Sequence, residues 1–244
     1  MLGILQFRAF APTGGQPDSR WERRPISKSN PTSTKRKRRA SNLVLAFMDC
    51  EFGGLDPELH DITEIAVVVT DYRLVELARG EWKVFARADR ISEEGAAIGG
   101  YSEEAWQGAP PLRQVLGEMN DLMPANALVI PAGQNVRMDV AFLERGYRGC
   151  GIPFPFDYHV IDLATLFYTW SLISGEQVSA LSLRQAALTA GLIENAVPHR
   201  AMADATLTHE TFRHFIGRLA LRDPADWLPE AKDCAAESAD TSEP

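Results

Sequence analysis

An apolar, β-prone run over residues 43–48 ends abruptly on Asp49-Cys50-Glu51, and Phe52-Gly53-Gly54-Leu55-Asp56 carries the chain into a turn. Alternate residues of an extended strand share a face, so Asp49 and Glu51 stand side by side while Cys50 points the other way. Two neighbouring carboxylates repel unless something positive lies between them, which suggests a divalent cation. Taken alone, D-x-E reads more readily as a pair of exposed acids before a turn. The question is whether the remaining chain supplies further ligands.

A second run, residues 62–70, is dense in β-branched side chains, as strands are. Asp71-Tyr72-Arg73 turns it into a third strand over 74–78 and 81–85, with Gly80 as a candidate break. Three strands joined by short turns predict an antiparallel meander. The character then changes. Short helical pieces over 92–106 are interrupted at Gly99-Gly100. Pro110-Pro111 opens a helix over 112–123, with Val115, Leu116 and Met119 at helical spacing, and Pro124 closes it. A buried strand over 127–130 runs towards Gly133, and a helix over 138–149 follows. A short strand over 159–162 leads into helices over 163–172, 182–190 and 202–221, the second stopped by Gly191. This order predicts an α/β domain, a mixed sheet between helices, spanning residues 43–221.

Charge is unevenly spread. Residues 1–42 carry ten Lys/Arg and two Asp/Glu, residues 43–222 fourteen against twenty-four, and residues 223–244 one against seven, which together give the net charge of -8. The acidic middle argues against broad, contact-rich binding to duplex nucleic acid, though not against gripping one strand end through metal ions. The first 42 residues, rich in Pro, Gly, Ser and Thr, read as a disordered basic segment, and residues 222–244 as a disordered acidic tail. Within the first segment, Lys35-Arg36-Lys37-Arg38-Arg39 is open to several readings: a nuclear address, a nucleic-acid tether, part of a transit peptide or a solvated tail. Three cysteines, Cys50, Cys150 and Cys234, show no metal-site spacing, and an odd count without a secretory signal favours a reduced, cytoplasmic setting. No apolar run is long enough to cross a membrane.

Two further segments carry acids at helix starts. Asn135-Val136-Arg137-Met138-Asp139 puts Asp139 in the first turn after the fourth strand, where the helix dipole favours negative charge. His199-Arg200-Ala201-Met202-Ala203-Asp204 puts a loop histidine about one and a half turns before a helical carboxylate with apolar neighbours. Each is unremarkable alone. In order, D-x-E, N-x-x-x-D and H-x-x-x-x-D resemble the motifs of the DnaQ-like, or DEDDh, 3′-5′ exonuclease superfamily, whose members include a bacterial polymerase proofreading subunit, ribonuclease T and oligoribonuclease. The contexts match too: Gly54-Leu55-Asp56-Pro57, Ile62-Thr63-Glu64-Ile65-Ala66, Phe142-Leu143 and Asp204-Ala205 stand where that family has similar residues. The resemblance covers residues 43–216.

It implies a ribonuclease H-like fold, a five-stranded sheet of three antiparallel strands followed by parallel additions. It implies that Asp49, Glu51, Asp139 and Asp204 hold two divalent cations, Mg²⁺ or Mn²⁺, with His199 as general base on the attacking water. Such ions, about 4 Å apart, hold the attacking hydroxide and the departing 3′ oxygen on opposite sides of one phosphorus. The implied reaction releases nucleoside monophosphates from the 3′ end of single-stranded DNA or RNA. Phe52, Gly53, Leu55 and Asn135 are the candidate substrate contacts, and the glycines behind the acids are expected to leave room for a nucleotide. Many members carry Thr or Ser at Gly53 and His at Gln134, departures that bear on substrate grip rather than on the metal ligands. A polymerase or other replication or repair partner, and a homodimer, are open associations. The alternative is a nucleic-acid-binding or polymerase-associated scaffold module of the same fold without need of catalysis. Glu64 reads as an acid behind the site. His60 and His159 read as loop or strand-edge residues, His209 and His214 as decorations of the last helix, and Trp82, Trp106, Trp170 and Trp227 as packing.

Overall fold

The computed structural model describes residues 43–195 and 200–220. The basic run, the acidic tail, Trp227, Cys234 and His199 lie outside the described residues. Five strands form one sheet in the order β3-β2-β1-β4-β5. β1 (Leu43–Phe52), β2 (Ile62–Asp71) and β3 (Glu76–Lys83) form the antiparallel meander, and β4 (Leu128–Gly133) and β5 (Ile161–Asp162) add in parallel on the other side of β1. The helices are α1 (Glu93–Gly99), α2 (Leu112–Asp121), α3 (Arg137–Cys150), α4 (Leu163–Ser174), α5 (Leu183–Ala190) and α6 (Ala201–Ala220).

β1 and β2 are apolar because both of their faces are covered. Val44, Ala46, Met48 and Cys50 face α2 and α3, meeting Val115, Leu116, Met119, Leu143 and Tyr147. Leu45 and Phe47 face the opposite layer, with Phe167 from α4, Ala186 from α5, and Ala205, Phe212 and Phe215 from α6. This alternation continues into the motif. Cys50 is buried in the α2/α3 layer, while Asp49 and Glu51 stand on the face that α6 covers.

Three details differ from the sequence reading. The third strand is continuous through Gly80, which pairs with Val67 in register. The Trp82 indole folds over the place of the missing side chain, where a Cβ at Gly80 would fall 2.2 Å from the ring, and so covers the gap. The fifth strand holds two residues only. His209 is not a surface decoration: it is 5% exposed, its ring is 5.0 Å from that of Phe47, and its Nε2 lies 3.0 Å from the carbonyl of Leu74. Trp106 and Trp170 are buried, in line with packing roles.

Candidate active site

The acids of β1 are placed by the centre of the sheet. Hydrogen bonding to β2 holds Asp49 opposite Ala66 and Glu51 opposite Glu64. The register then shifts between Glu51 and Phe52, so that Phe52 pairs with Ile62. Irregularities of this kind end pairing and re-aim side chains beside functional sites. Asp204 lies in the first turn of α6, and its amide donates to the carbonyl of Arg200 at 2.9 Å.

These elements bring three carboxylates together. Ligand oxygens of Asp49, Glu51 and Asp204 all lie within 4.8 Å of one another. Asp139 adjoins this group from the first turn of α3. It is buried, and its Oδ1 accepts the amide of Cys50 at 2.9 Å, tying α3 to the backbone of the motif. Burial, then repulsion from Asp139, Asp204 and Glu51, pushes the Asp49 carboxyl well above the usual carboxylate range. Burial raises Asp139 to about 7 against the pull of the Cys50 amide. A cluster that resists losing its protons this way becomes fully anionic most readily around a cation. Among the described residues the cluster offers carboxylate oxygens, which suit a hard divalent ion such as Mg²⁺ or Mn²⁺.

Beside the acids, a cavity of about 370 Å³ is lined by Glu51, Phe52, Gly54, Leu55, His60, Ser92, Glu94, Gly95 and Ile98. Leu55 is 81% exposed and Ile98 56%, which leaves two apolar side chains open at its rim. Phe52 is half-buried and stacks on Phe142, ring centroids 4.0 Å apart, so it packs the core as well as lining the cavity. Asn135 adopts the left-handed conformation, φ 54°, at the bend from β4 into α3, and its carbonyl accepts the amide of Met138 at 3.1 Å.

The space at the glycines is used differently from expectation. A Cβ on Gly53 would fall 2.5 Å from the carbonyl oxygen of Arg90, and one on Gly54 would strike the His60 ring. Gly53 also donates to Asp61 O at 2.8 Å, and its carbonyl accepts from both the amide and the hydroxyl of Ser92. The room at Gly53 is therefore filled by the protein's own chain.

Several positioning residues were missed by sequence reasoning. Ser92 caps α1 and holds it to Gly53. Asp162 caps α4 through Oδ1 and accepts the Val136 amide through Oδ2 at 3.2 Å, bracing the start of α3. An Asp directly before an apolar helical run is a recognisable capping signal, but its second bond crosses 26 residues of chain. Gln134 Nε2 donates to Leu181 O at 2.8 Å.

A family model described as Exonuclease (RNase_T) matches residues 46–212. The chain belongs to this exonuclease family. The match takes in Asp49, Glu51, Asp139, His199 and Asp204. The exonuclease domain has the fold of the zinc-bound complex of E. coli exonuclease I with single-stranded DNA, with TM-score 0.62 and 17% identity over 74% of this chain and 42% of that one. It is similar as well to a 3′-exonuclease solved in recognition of a histone mRNA stem-loop (0.56, 17%, 70% and 63%) and to cell-death related nuclease 4 (0.61, 14%, 73% and 65%). The chain spans less than two thirds of each of these proteins. No curated protein gives a significant sequence match. Among the described residues, no helix is long and apolar enough to cross a membrane.

Proposed function

We propose that the chain is a metal-dependent 3′-5′ exonuclease that removes nucleoside monophosphates from the 3′ end of single-stranded DNA or RNA. The observation that carries this reading is the meeting of Asp49, Glu51 and Asp204 within 4.8 Å beside an open, partly apolar cavity. Asp49, Glu51 and Asp204 would hold the ions directly, and Asp139 from the adjoining helix start. Bound divalent ions supply a hydroxide nucleophile near neutral pH and offset charge on the phosphate. Leu55 and Ile98 offer apolar surface to the terminal base, since stacking and apolar contact tolerate any base. His199 is assigned the proton-accepting role on the strength of its motif, H-x-x-x-x-D, because an imidazole titrates near neutrality. A cytoplasmic site of action accords with the odd, unpatterned cysteines.

The test is degradation of a 5′-labelled single strand. With Mg²⁺, purified protein should give a ladder of shortened products, and EDTA should abolish it. Asp49→Ala and Asp204→Ala are expected to lose several orders of magnitude of rate, and His199→Ala about 10²- to 10⁴-fold. An Asp49→Ala protein that cuts as fast as wild type would sink the assignment, and a wild-type protein that cuts nothing would leave the scaffold reading. Matched DNA and RNA oligomers of several lengths, run side by side, decide the substrate.

A further inference from the structure

Glu64 is 0% exposed on β2, directly across from Glu51 in the β1–β2 register. A buried carboxylate is costly unless paired, and one beside three further acids is more so. The cation paired with it is Arg200, whose Nη2 stands 3.3 Å from Glu64 Oε2. Arg200 is also the residue whose carbonyl accepts the amide of Asp204, the hydrogen bond that opens α6. Its guanidinium lies over the ring of Trp106, 6.0 Å from the centroid.

Trp106 is itself fixed. It is buried, and its indole N–H donates at 2.7 Å to the carbonyl of Thr63, which also accepts the Val84 amide at 2.8 Å. Lys83, opposite Glu64 in the β2–β3 register, turns its ammonium to the Ala105 carbonyl at 2.7 Å and to the Trp106 ring at 4.3 Å. The Arg200 side chain thus rests on a carboxylate and a ring that are both locked to β2.

We propose that Glu64, Arg200 and Trp106 are positioning residues that set the spacing of Asp204 from Asp49 and Glu51. This inference rests on the exonuclease reading. Farther along α6, the apolar contacts of Ala205, Phe212 and Phe215 hold the helix to the sheet. Apolar packing is tolerant of small shifts along a helix, whereas an ion pair of 3.3 Å fixes one point. That point sits one turn before Asp204, and its anchor sits across from Glu51. The two sides of the acidic cluster are thereby referenced to one residue pair of the sheet.

Two substitutions separate positioning from charge. Assayed at pH 8, where Glu64 is ionised, Glu64→Gln removes a negative charge beside the metal ligands, and Arg200→Met removes a positive one. If only charge mattered, the first would weaken metal binding and the second would tighten it. Positioning moves both the same way. The readouts are the Mn²⁺ concentration that half-saturates the thermal upshift of the protein, and kcat and KM on a labelled single strand. Each variant is expected to raise the Mn²⁺ midpoint and to lower kcat by about 10- to 100-fold, with KM little changed. The double variant should be no worse than the poorer single one, because residues that act as a unit do not add. Arg200 is partly exposed, so Arg200→Met and Arg200→Lys should both fold, and the lysine variant should recover part of the loss. Midpoints that move in opposite directions, or that stay with wild type while wild type binds Mn²⁺ and degrades the strand, overturn the positioning role alone. A wild-type protein that does neither overturns the exonuclease reading and this inference with it.

Discussion

At the scale of single residues, the acids carry a cost that shows in their titration. Burial holds Asp139 and Glu64 near pH 7, with Glu81 adding to the rise at Glu64, and burial with neighbouring acids raises Asp49. A carboxyl raised in the folded state favours folding while protonated, so its contribution is complete below about pH 4, the unfolded value, and is lost as pH climbs through about 7. The metal-free protein is therefore expected to melt at progressively lower temperature between pH 4 and pH 7.5. Saturating Mg²⁺ or Mn²⁺ should restore stability most at the upper end, by about 3 kcal/mol at a hundred times the dissociation constant. Asp49→Asn should raise the metal-free melting temperature at pH 8 and remove most of the metal-induced gain. A melting temperature independent of both pH and metal in EDTA-treated protein would count against the cluster.

Among elements, the placement of α1 deserves a test because its reason was invisible in the sequence. Gly95 lies against the backbone of Gly53, where a Cβ would fall 2.4 Å from the Gly53 carbonyl carbon. Gly53→Ser is expected to displace residues 90–91 and cost on the order of 1–3 kcal/mol by overpacking, read by urea denaturation. Gly95→Ala should act at the same contact, and the pair should not add. The strands and their order were legible because β-branched runs and turn residues report local conformation, and the acids of β1 were legible as one face because alternation is local too. What was not legible depends on contacts distant in sequence. The apparent break at Gly80 is the local exception, covered by Trp82 two residues on, whereas His209 is drawn inside by the Leu74 carbonyl, 135 residues away. Asp139 was placed at its helix start correctly, but its bond to the Cys50 amide spans 89 residues. The place of Arg200 likewise follows from β2 and not from its own motif.

For the whole molecule, the exonuclease family match ends at residue 212, inside α6, and begins inside β1. Among the described residues, the fold's two apolar layers are drawn from residues 43–219. A fragment of residues 43–221 is accordingly expected to melt within a few degrees of the full chain and to keep its rate on short single strands. Scanning calorimetry and the strand-degradation ladder check both. A fragment that fails to fold would place part of the core outside those bounds. The basic segment, with eight more positive than negative charges, should then matter chiefly for long strands at low salt, where screening is weak.

The position of β1, bonded along its length to β2 and over residues 43–47 to β4, has a consequence for how the site fails. Amides at the centre of such a sheet open only when the whole domain does, whereas helix ends fray under far milder conditions. Asp49 and Glu51 ride on a central strand, and Asp204 on the first turn of a helix. Mild heat or denaturant is therefore expected to part Asp204 from Asp49 and Glu51, once the Arg200–Glu64 pair gives way, while the sheet is still intact, so that strand degradation and metal-induced stabilisation are lost before the amides of β1 exchange with solvent.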